Sequence, residues 1–287
     1  MKCLICNSSN VKKILLIHEV SRYTGTPHPL YKCKNCGLIR PDPLPYSDDT
    51  KLDIYDVSEN IKFYDKKEDK IDTKSYEYIY YFKHFKPFIS LVKKYKIKGK
   101  ALDIGCGAGH LLKMLNKEGL VAEGTEISPR LVKALKKDSL KVYCAELGNK
   151  QLKKNNYNLI TFNQVLEHIV DPESFLKEVN SLLHSEGYVI LAVPYLYGLV
   201  PQILRTKWYG LGYGQHVNFF SQESMRILLE RNGFKLQEFK ILSVDYAHPN
   251  FPSFLNVIAN LITSVIVSLG LGDNLFVVAK KVKGAKR

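Results

Sequence analysis

The sequence of 287 residues lacks an uninterrupted apolar run of about 20 residues, the length that a membrane-spanning helix requires. It also lacks a basic-then-apolar leader segment at its amino terminus. Its cysteines are few, and four of the six fall in two close pairs. Disulfides are rare in reducing compartments, where paired cysteines more often bind metal. We therefore expect a cytoplasmic protein with reduced thiols, and we expect the unpaired Cys144 to be an apolar filler on a strand.

Acidic residues are also scarce, since 28 Asp and Glu stand against 42 Lys and Arg and give a formal net charge of +14. A basic surface attracts anionic partners such as nucleic acid, anionic lipid, or phosphorylated and nucleotide-linked substrates. Much of the excess is lysine scattered over predicted helix faces, so a solvated surface without a charged partner is the alternative interpretation. Charge alone does not decide between them.

The most informative segment is Leu102–His110, in which an apolar strand runs into Gly105, Gly107 and Gly109 before an amphipathic helix begins. Glycine adopts backbone conformations closed to other residues and lets a ligand lie against the main chain. The next apolar segment ends at Glu126, 21 residues after Gly105. A doubly wound sheet places there the acid that binds ribose hydroxyls. These features predict a nucleoside-binding α/β domain.

The run Asp103-Ile-Gly-Cys-Gly-Ala-Gly109 has the form G-x-G-x-G and resembles motif I of the class I S-adenosylmethionine-dependent methyltransferases. A dinucleotide fingerprint, G-x-G-x-x-G, would instead cradle a pyrophosphate, which Asp103 would repel. The resemblance covers residues 100–245 and includes Gln164–Pro172, similar to the family segment after strand four. It implies an α/β fold: a doubly wound, seven-stranded, Rossmann-like sheet whose last strand enters antiparallel.

The resemblance also implies a cofactor site. Asp103 suits the cationic methionine end of S-adenosylmethionine, Glu126 binds the ribose, and Glu146 lies near the adenine. The residues expected to bind this cofactor are Asp103, Gly105, Cys106, Gly107, Gly109, Glu126, Ile127, Glu146 and Asn163.

Two C-x-x-C pairs lie 26 residues apart near the amino terminus, at Cys3, Cys6, Cys33 and Cys36. This spacing predicts a closed structural zinc site with four thiolate ligands. Asn7 and Gly37 follow the second cysteine of each pair, where a metal-binding knuckle needs a residue that tolerates the left-handed conformation. A module of about forty residues buries too little surface to be stable without metal. Redox-active pairs and unligated core thiols are the alternatives.

The segment Tyr31–Pro43 is similar to the zinc ribbon that precedes the cofactor domain in many bacterial and archaeal methyltransferases of surface-polysaccharide and deoxysugar pathways. The resemblance implies a ribbon over residues 1–42, a linker over 43–73 and a methyltransferase domain over 74–287.

The segment 195–221 lies where this fold builds its acceptor site. Residues Trp208–Ser221 resemble the H-x-x-x-F-S segment of the sugar methyltransferases, in which a histidine, with a tyrosine three residues before it, serves acid–base chemistry. His216 and Tyr213 keep this spacing, so His216 is the expected general base and His168 its rival. A structural role for His216 is the alternative. Gln215 replaces the glutamate usual in the C-methyltransferases, which favours O-methylation.

Residues 246–272 contain no Asp, Glu, Lys or Arg. Within 251–271, apolar residues fall on one helical face and Asn and Ser mark the other. Pro252 and this polar stripe argue against a membrane span. Core packing, dimer packing and an interfacial helix that reaches a lipid-linked substrate stay open as interpretations.

The expected function is S-adenosylmethionine-dependent methylation of a hydroxyl on a small or carrier-linked molecule, above all a sugar in surface-glycan synthesis. The second hypothesis is an RNA methyltransferase that uses the ribbon and the basic surface. Asn163–Leu166 lacks the N/D-P-P-Y/F element of enzymes that methylate base amino groups, so nucleic acid is not the expected partner. The third is a non-catalytic, zinc-bearing interaction protein. A monomer and a homodimer are both compatible with the sequence.

Overall fold

The computed structural model of the chain describes residues 1–17, 28–44, 76–145, 147, 150–243 and 253–282. The amino-terminal residues form a three-stranded antiparallel sheet in the order β1-β2-β3, and the rest of the chain contributes a seven-stranded sheet. The strands of the small sheet are β1 (Val11–Ile17), β2 (Pro29–Cys33) and β3 (Ile39–Pro41). Residues 45–73 of the predicted linker lie outside the described residues.

The large sheet has the strand order β6-β5-β4-β7-β8-β10-β9. Neighbours from β6 to β8 are parallel, and β10 runs antiparallel to both β8 and β9. The prediction of a doubly wound sheet with an antiparallel last strand is therefore confirmed. The strands are β4 (Lys100–Ile104), β5 (Val121–Glu126), β6 (Val142–Cys144), β7 (Tyr157–Asn163), β8 (Leu183–Pro194), β9 (Phe234–Leu242) and β10 (Asn274–Lys281).

Helices cover both faces of this sheet, and side-chain caps fix where several of them begin. Ser128 caps α3 and Asp171 caps α4, each with proline in the first turn. Ser221 caps α6 in a capping box with Ser224. The helices are α1 (Tyr76–Lys94), α2 (His110–Lys117), α3 (Pro129–Lys137), α4 (Pro172–Leu182), α5 (Leu199–Leu204), α6 (Gln222–Arg231) and α7 (Ser253–Ser268).

Side chains alternate between two cores, one on each face of the sheet. Leu102 and Ile160 point into one core, whereas the preceding residues on the same strands, Ala101 and Leu159, point into the other. Burying a leucine or isoleucine contributes about 1.5–3 kcal/mol, so a one-residue slip in register would expose much of this surface. The packing therefore fixes the carboxyl ends of β4, β5 and β7 side by side.

The ribbon is packed onto the large domain. Ile39 and Phe219 exchange backbone hydrogen bonds, with N–O distances of 3.0 and 2.9 Å. The Ser221 hydroxyl donates to the Cys36 carbonyl, and the Arg231 guanidinium donates to the Ile5 carbonyl. The buried ribbon cysteines also belong to the same apolar core as β7 and β8. The ribbon therefore contacts the chain just after His216 and along α6.

One expectation about apolar packing is wrong. Cys144 is exposed, because β6 is the edge strand of the sheet and ends at this residue. Of the three interpretations of the apolar face of α7, the exposures do not support core packing. The side chains from Val257 to Leu269 on this face are between 48% and 65% exposed, and among the described side chains of α7 only the adjacent Ile266 is buried. Of the helices among the described residues, none is long and apolar enough to cross a membrane.

Candidate functional site

The glycine loop after β4 leaves space on its outer side. Gly105, Gly107 and Gly109 all have positive φ angles, of 67°, 48° and 68°. A Cβ at Gly109 would meet the side chains of Leu135 and Leu140 within 3 Å, so this glycine lets α2 pack closely. At Gly107, a Cβ would have no described atom within 4 Å. The loop is thus packed against the protein at Gly109 and open at Gly107. A ligand that lies against the backbone requires such an open side.

The carboxylate of Glu126 is held beside this loop. Its Oε2 accepts a hydrogen bond from the Gly107 amide at 3.0 Å, and its Oε1 accepts one from the Ser128 amide at 3.0 Å. Each carboxylate oxygen has a second lone pair and can also accept from a ligand hydroxyl. This position fits the predicted contact with a ribose.

Asp103 lies buried at the end of β4 and accepts a 2.7 Å hydrogen bond from the Thr161 hydroxyl. Burial raises the pKa of this carboxyl to about 7, with a smaller contribution in the same direction from the charge of Glu126. A positively charged ligand group nearby would favour the ionised form. The site therefore suits a cation and disfavours a phosphate.

Asn163 ends β7 at the same edge of the sheet. Its Nδ2 donates to Nε2 of His84 on α1 at 3.1 Å, which fits the neutral imidazole because burial lowers the pKa of His84. Its Oδ1 is buried and has no hydrogen-bond partner among the described residues. An orphaned acceptor of this kind fits a ligand that brings a donor, such as the ammonium group of a bound amino acid.

Gln164, the next residue, has a φ of 55°, an uncommon conformation for a residue other than glycine. The surrounding contacts hold it there, because its amide donates to the Ala192 carbonyl and its Nε2 donates to Asn274 Oδ1 at 3.0 Å. Strained residues of this kind concentrate at functional sites. The turn directs the chain from β7 toward the segment that carries Glu167.

Two histidines meet next to this turn. His168 lies in a 3-10 helix, Leu166–His168, and His216 follows another, Tyr209–Gly214. Their rings are perpendicular, with centroids 4.6 Å apart. The Val217 and Asn218 amides both donate to the Glu167 carbonyl, which ties the two segments together. The structure thus brings together the two histidines that the sequence offered as rival bases.

Glu167 lies between these histidines. Its side chain is fully buried, and neither carboxylate oxygen has a hydrogen-bond partner within the described part of the chain. Burial raises its pKa to about 8. Its Oε1 is 4.0 Å from Nε2 of His168 and 4.0 Å from Nε2 of His216. Glu167 received no role from the sequence, although it directly precedes His168.

The remaining predicted site residues fall in different places. Cys106 is buried beneath the loop, its amide donates to the Thr125 carbonyl, and burial raises its pKa. Ile127 follows β5 and is half-buried. The backbone of Tyr213 lies in the 3-10 helix before His216, but nothing is described of its side chain. Glu146 lies outside the described residues.

The cofactor loop and the histidine cluster are neighbours. A Cβ on Gly105 would lie 2.8 Å from Cγ2 of Val165, two residues before Glu167. The segment that holds Glu167, His168 and His216 therefore begins directly beside the glycine loop.

The four paired cysteines converge at the amino terminus. The sulfur atoms all lie within 4.8 Å of one another, and the Cys3–Cys36 and Cys6–Cys33 sulfur distances are both 3.5 Å. Asn7 has a φ of 58° and Gly37 a φ of 78°, so the predicted left-handed residues of both knuckles are confirmed. Four close thiols on two knuckles form a suitable tetrahedral site for a soft divalent ion.

A methyltransferase domain family model matches residues 75–238 of the chain. The chain is 25% identical over 151 residues to an uncharacterised protein of Methanocaldococcus jannaschii, covering 53% of this chain and 72% of that protein. It is 24% identical over 168 residues to the ubiquinone biosynthesis O-methyltransferase of Pelagibacter ubique, covering 52% of this chain and 70% of that enzyme.

Among solved structures, the chain is similar to the complex between the Haloferax volcanii Trm112 methyltransferase activator and a putative methyltransferase. The TM-score is 0.53 at 14% identity, over 70% of this chain and 91% of that one. This likeness concerns the fold.

Proposed function

The chain belongs to the methyltransferase domain family and is an S-adenosylmethionine-dependent methyltransferase, and we propose that it methylates a hydroxyl of a small or carrier-linked molecule. The observation that carries the proposal is the histidine pair beside Glu167, next to the glycine loop. The likeness to an O-methyltransferase of ubiquinone biosynthesis, at 24% identity, also favours oxygen as the attacked atom. A sugar is the acceptor that the ribbon resemblance favours.

We propose that the cofactor lies at the carboxyl ends of β4, β5 and β7. When bound, S-adenosylmethionine supplies a methyl group on a positively charged sulfur. Glu126 would hold the ribose hydroxyls, the open backbone at Gly107 would lie against the cofactor, and Asp103 and the orphaned Asn163 Oδ1 would face its cationic methionine end. Most of the rate gain in such a transfer comes from positioning, because the sulfonium already activates the methyl group.

His168 and His216 supply the chemistry on the acceptor side. In each ring Nδ1 donates to a backbone carbonyl, of Gln215 and Gly210, so Nε2 is the basic atom of the neutral ring. A hydroxyl becomes a good nucleophile as it loses its proton, and imidazole functions near neutral pH. We propose that these histidines activate the hydroxyl, with Tyr213 as the predicted partner of His216.

Replacing Glu126 tests the cofactor assignment. The Glu126→Gln variant is expected to bind S-adenosylhomocysteine at least about tenfold more weakly, because each charge-assisted hydrogen bond contributes roughly 1.5–3 kcal/mol. Glu123→Gln is the matched control, since Glu123 is equally buried on β5 but its carboxylate bonds Tyr143 and Lys141. Calorimetry measures both, and unchanged affinity in Glu126→Gln would show that the acid assignment is wrong.

Asp103 gives the cofactor affinity a pH dependence. Its pKa of about 7 falls when a cation binds nearby, so binding releases a proton. The affinity for S-adenosylmethionine is therefore expected to rise with pH up to about 7 and then level off. Asp103→Asn cannot ionise and should lack this rise in calorimetry across that range. The same rise in the Asn variant would contradict a role for this carboxyl.

The acceptor class is tested with a labelled methyl donor. Purified protein is incubated with small-molecule, lipid-linked glycan and RNA fractions, and each is examined for label. A methyl ether in a small or carrier-linked product supports the proposal. Label in RNA would instead support the second hypothesis, an RNA methyltransferase that uses the ribbon. Bound cofactor without transfer to any fraction would support the non-catalytic alternative.

We further propose that the four ribbon cysteines bind one zinc ion. The ion would be structural, because four protein ligands leave no coordination position open for a substrate.

The exposed apolar face of α7 is proposed to contact an anionic lipid surface. Leu199, Ile203 and Leu204 on α5 are also exposed, and the Leu199 amide donates to the Leu271 carbonyl just after α7. The apolar patch is thus shared by both helices. Arg205 and Lys207 adjoin it and are exposed, and the whole chain carries a charge of +14. An apolar face bordered by basic residues is typical of peripheral membrane binding.

The double variant Leu261→Gln, Val265→Gln tests this contact. Burying each side chain contributes about 1.5–3 kcal/mol, so the variant should bind vesicles containing phosphatidylglycerol at least tenfold more weakly in co-sedimentation. Val121→Gln is the control, because Val121 is an equally exposed apolar residue on β5. Failure of the wild type to bind such vesicles would overturn the proposal. A dimer that the double variant disrupts, without vesicle binding, would assign the face to self-association instead.

A further inference from the structure

Three ligand atoms of the acceptor-side cluster converge on one small volume. Nε2 of His168 and of His216 each lie 4.0 Å from Glu167 Oε1, and all three ligand atoms lie within 4.8 Å of one another. We propose that Glu167, His168 and His216 form a second metal site, distinct from the ribbon, for a first-row divalent cation. The inference rests on the proposed methyl transfer, and it names how the acceptor oxygen is activated.

The orientation of both imidazoles fits metal ligation. Nδ1 of His168 donates to the Gln215 carbonyl at 3.1 Å, and Nδ1 of His216 donates to the Gly210 carbonyl at 2.8 Å. Histidines that bind metal through one ring nitrogen usually donate the other N–H to a carbonyl or carboxylate, which fixes the tautomer and the ring plane. Here both rings are held so that Nε2, with its lone pair, is directed toward Glu167.

The cluster places three possible ligand atoms close together without a direct hydrogen bond between Glu167 Oε1 and either ring. A neutral imidazole nitrogen and a carboxylate oxygen at 4.0 Å are too far apart for a hydrogen bond. Both oxygens of Glu167 are buried and have no donor among the described residues. Buried carboxyl oxygens without a donor are costly. A cation bound among the three atoms would remove this penalty.

The spacing leaves room for such an ion. Atoms separated by about 4 Å can share an ion that lies roughly 2–2.5 Å from each, the range of divalent metal–ligand bonds. Two imidazoles and one carboxylate are ligands suited to zinc, iron or manganese, and they leave coordination positions open. The ribbon site differs in this respect, because its four protein thiols would fill every coordination position of a tetrahedral ion.

The ion would change the part that the histidines play in the reaction. As ligands they would hold the cation, and the acceptor hydroxyl would bind in an open position and lose its proton to water. The resulting alkoxide, stabilised by the cation, would form the new O–C bond with the methyl group. The S–C bond of the sulfonium breaks in the same step, and its electron pair stays on sulfur. Glu167, His168 and His216 would then act as a unit.

Manganese binding tests the site directly. Mn²⁺ is a hard ion that competes poorly for four thiolates, so it reports this cluster while zinc occupies the ribbon. An electron paramagnetic resonance titration of the full, zinc-containing protein is expected to show one tight Mn²⁺ site per chain. Glu167→Gln should weaken binding at least tenfold, because it removes the only anionic ligand. Glu123→Gln, which changes an equally buried carboxylate on β5, should bind as the wild type does.

Thermal unfolding supplies a second measurement. Mn²⁺ should raise the unfolding midpoint of the wild type and of Glu123→Gln, but not that of Glu167→Gln. Without added metal, Glu167→Gln should unfold at a midpoint close to that of the wild type, since the amide and the protonated carboxyl have nearly the same size and shape. This outcome shows that the variant folds, so a loss of binding is not a loss of structure.

The outcomes separate the metal site from the proposed function. Wild-type protein that binds S-adenosylhomocysteine but binds no Mn²⁺, Fe²⁺ or Zn²⁺ beyond the ribbon ion overturns the metal site and leaves methyl transfer standing. Equal Mn²⁺ affinity in Glu167→Gln and the wild type also overturns it. Tight Mn²⁺ binding at this cluster without any cofactor binding would overturn the proposed function on which the inference rests.

Discussion

Replacing His216 by alanine is expected to slow methyl transfer about 10²–10⁴-fold, the usual contribution of a group that activates a nucleophile. Calorimetry should find nearly unchanged affinity for S-adenosylhomocysteine, because His216 lies in the acceptor segment and not on the glycine loop. His184→Ala is the control: this exposed histidine on β8 lies outside the site and should transfer methyl groups at the wild-type rate.

A second variant separates chemistry from support. His216 is buried against Gly212, and its Nδ1 donates to the Gly210 carbonyl, so alanine also leaves a small cavity. His216→Gln keeps most of the volume and should be as slow as the alanine variant if the imidazole is required. A purely structural histidine would show a lower unfolding midpoint and a higher KM in the alanine variant, and near wild-type turnover with glutamine. That result would transfer the catalytic role to His168.

Replacing Cys33 by serine is expected to abolish zinc binding. Elemental analysis should find one zinc ion per wild-type chain and close to none in the variant. Structural zinc contributes apparent binding free energies of about 10–16 kcal/mol in small modules, more than the whole stability of many domains, so residues 1–42 should unfold. Cys144→Ser is the matched control, because Cys144 is exposed on β6 and lies outside the cluster.

The large domain should keep its cofactor affinity in Cys33→Ser, since the glycine loop makes none of its described contacts with the ribbon. Methyl transfer should still fall, because Ile39 is hydrogen-bonded to Phe219, three residues after His216. Hydrogen exchange should show faster exchange around residue 219 in the variant. Freshly purified, reduced wild-type protein without any zinc would refute the ribbon assignment.

The sequence identified those parts of the fold and site that are local in the chain. The glycine loop, Glu126 and the cysteine knuckles each occupy a short segment whose residue types have few other uses. In the structure the loop follows β4, Glu126 ends β5 beside the loop, and the four cysteines converge. Each of these segments can be recognised from its own residue types and their spacing.

Contacts between distant segments could not be predicted in this way. Glu167 becomes a candidate site residue only because it lies beside His216, which is distant in the sequence. His84 likewise becomes one through its hydrogen bond with Asn163. In the sequence Gln164 is an ordinary polar residue, and only its positive φ angle in the structure shows that its backbone is strained. The wrong expectation for Cys144 has the same origin, because the residues of β6 do not show that this strand lies at the edge of the large sheet.

The docking of the ribbon onto α6 also bears on the order in which the chain folds. Cys36 and Ser221 are 185 positions apart, and Ile5 and Arg231 are 226 apart. At synthesis rates of about 5–20 residues per second, the surface on which the ribbon docks emerges roughly 10–40 s after the ribbon itself. During that interval Ile5 and Leu38, both buried in the finished protein, have no cover from α6. Early metal capture by the four cysteines would fold the ribbon in this interval and protect it until its partner surface is made.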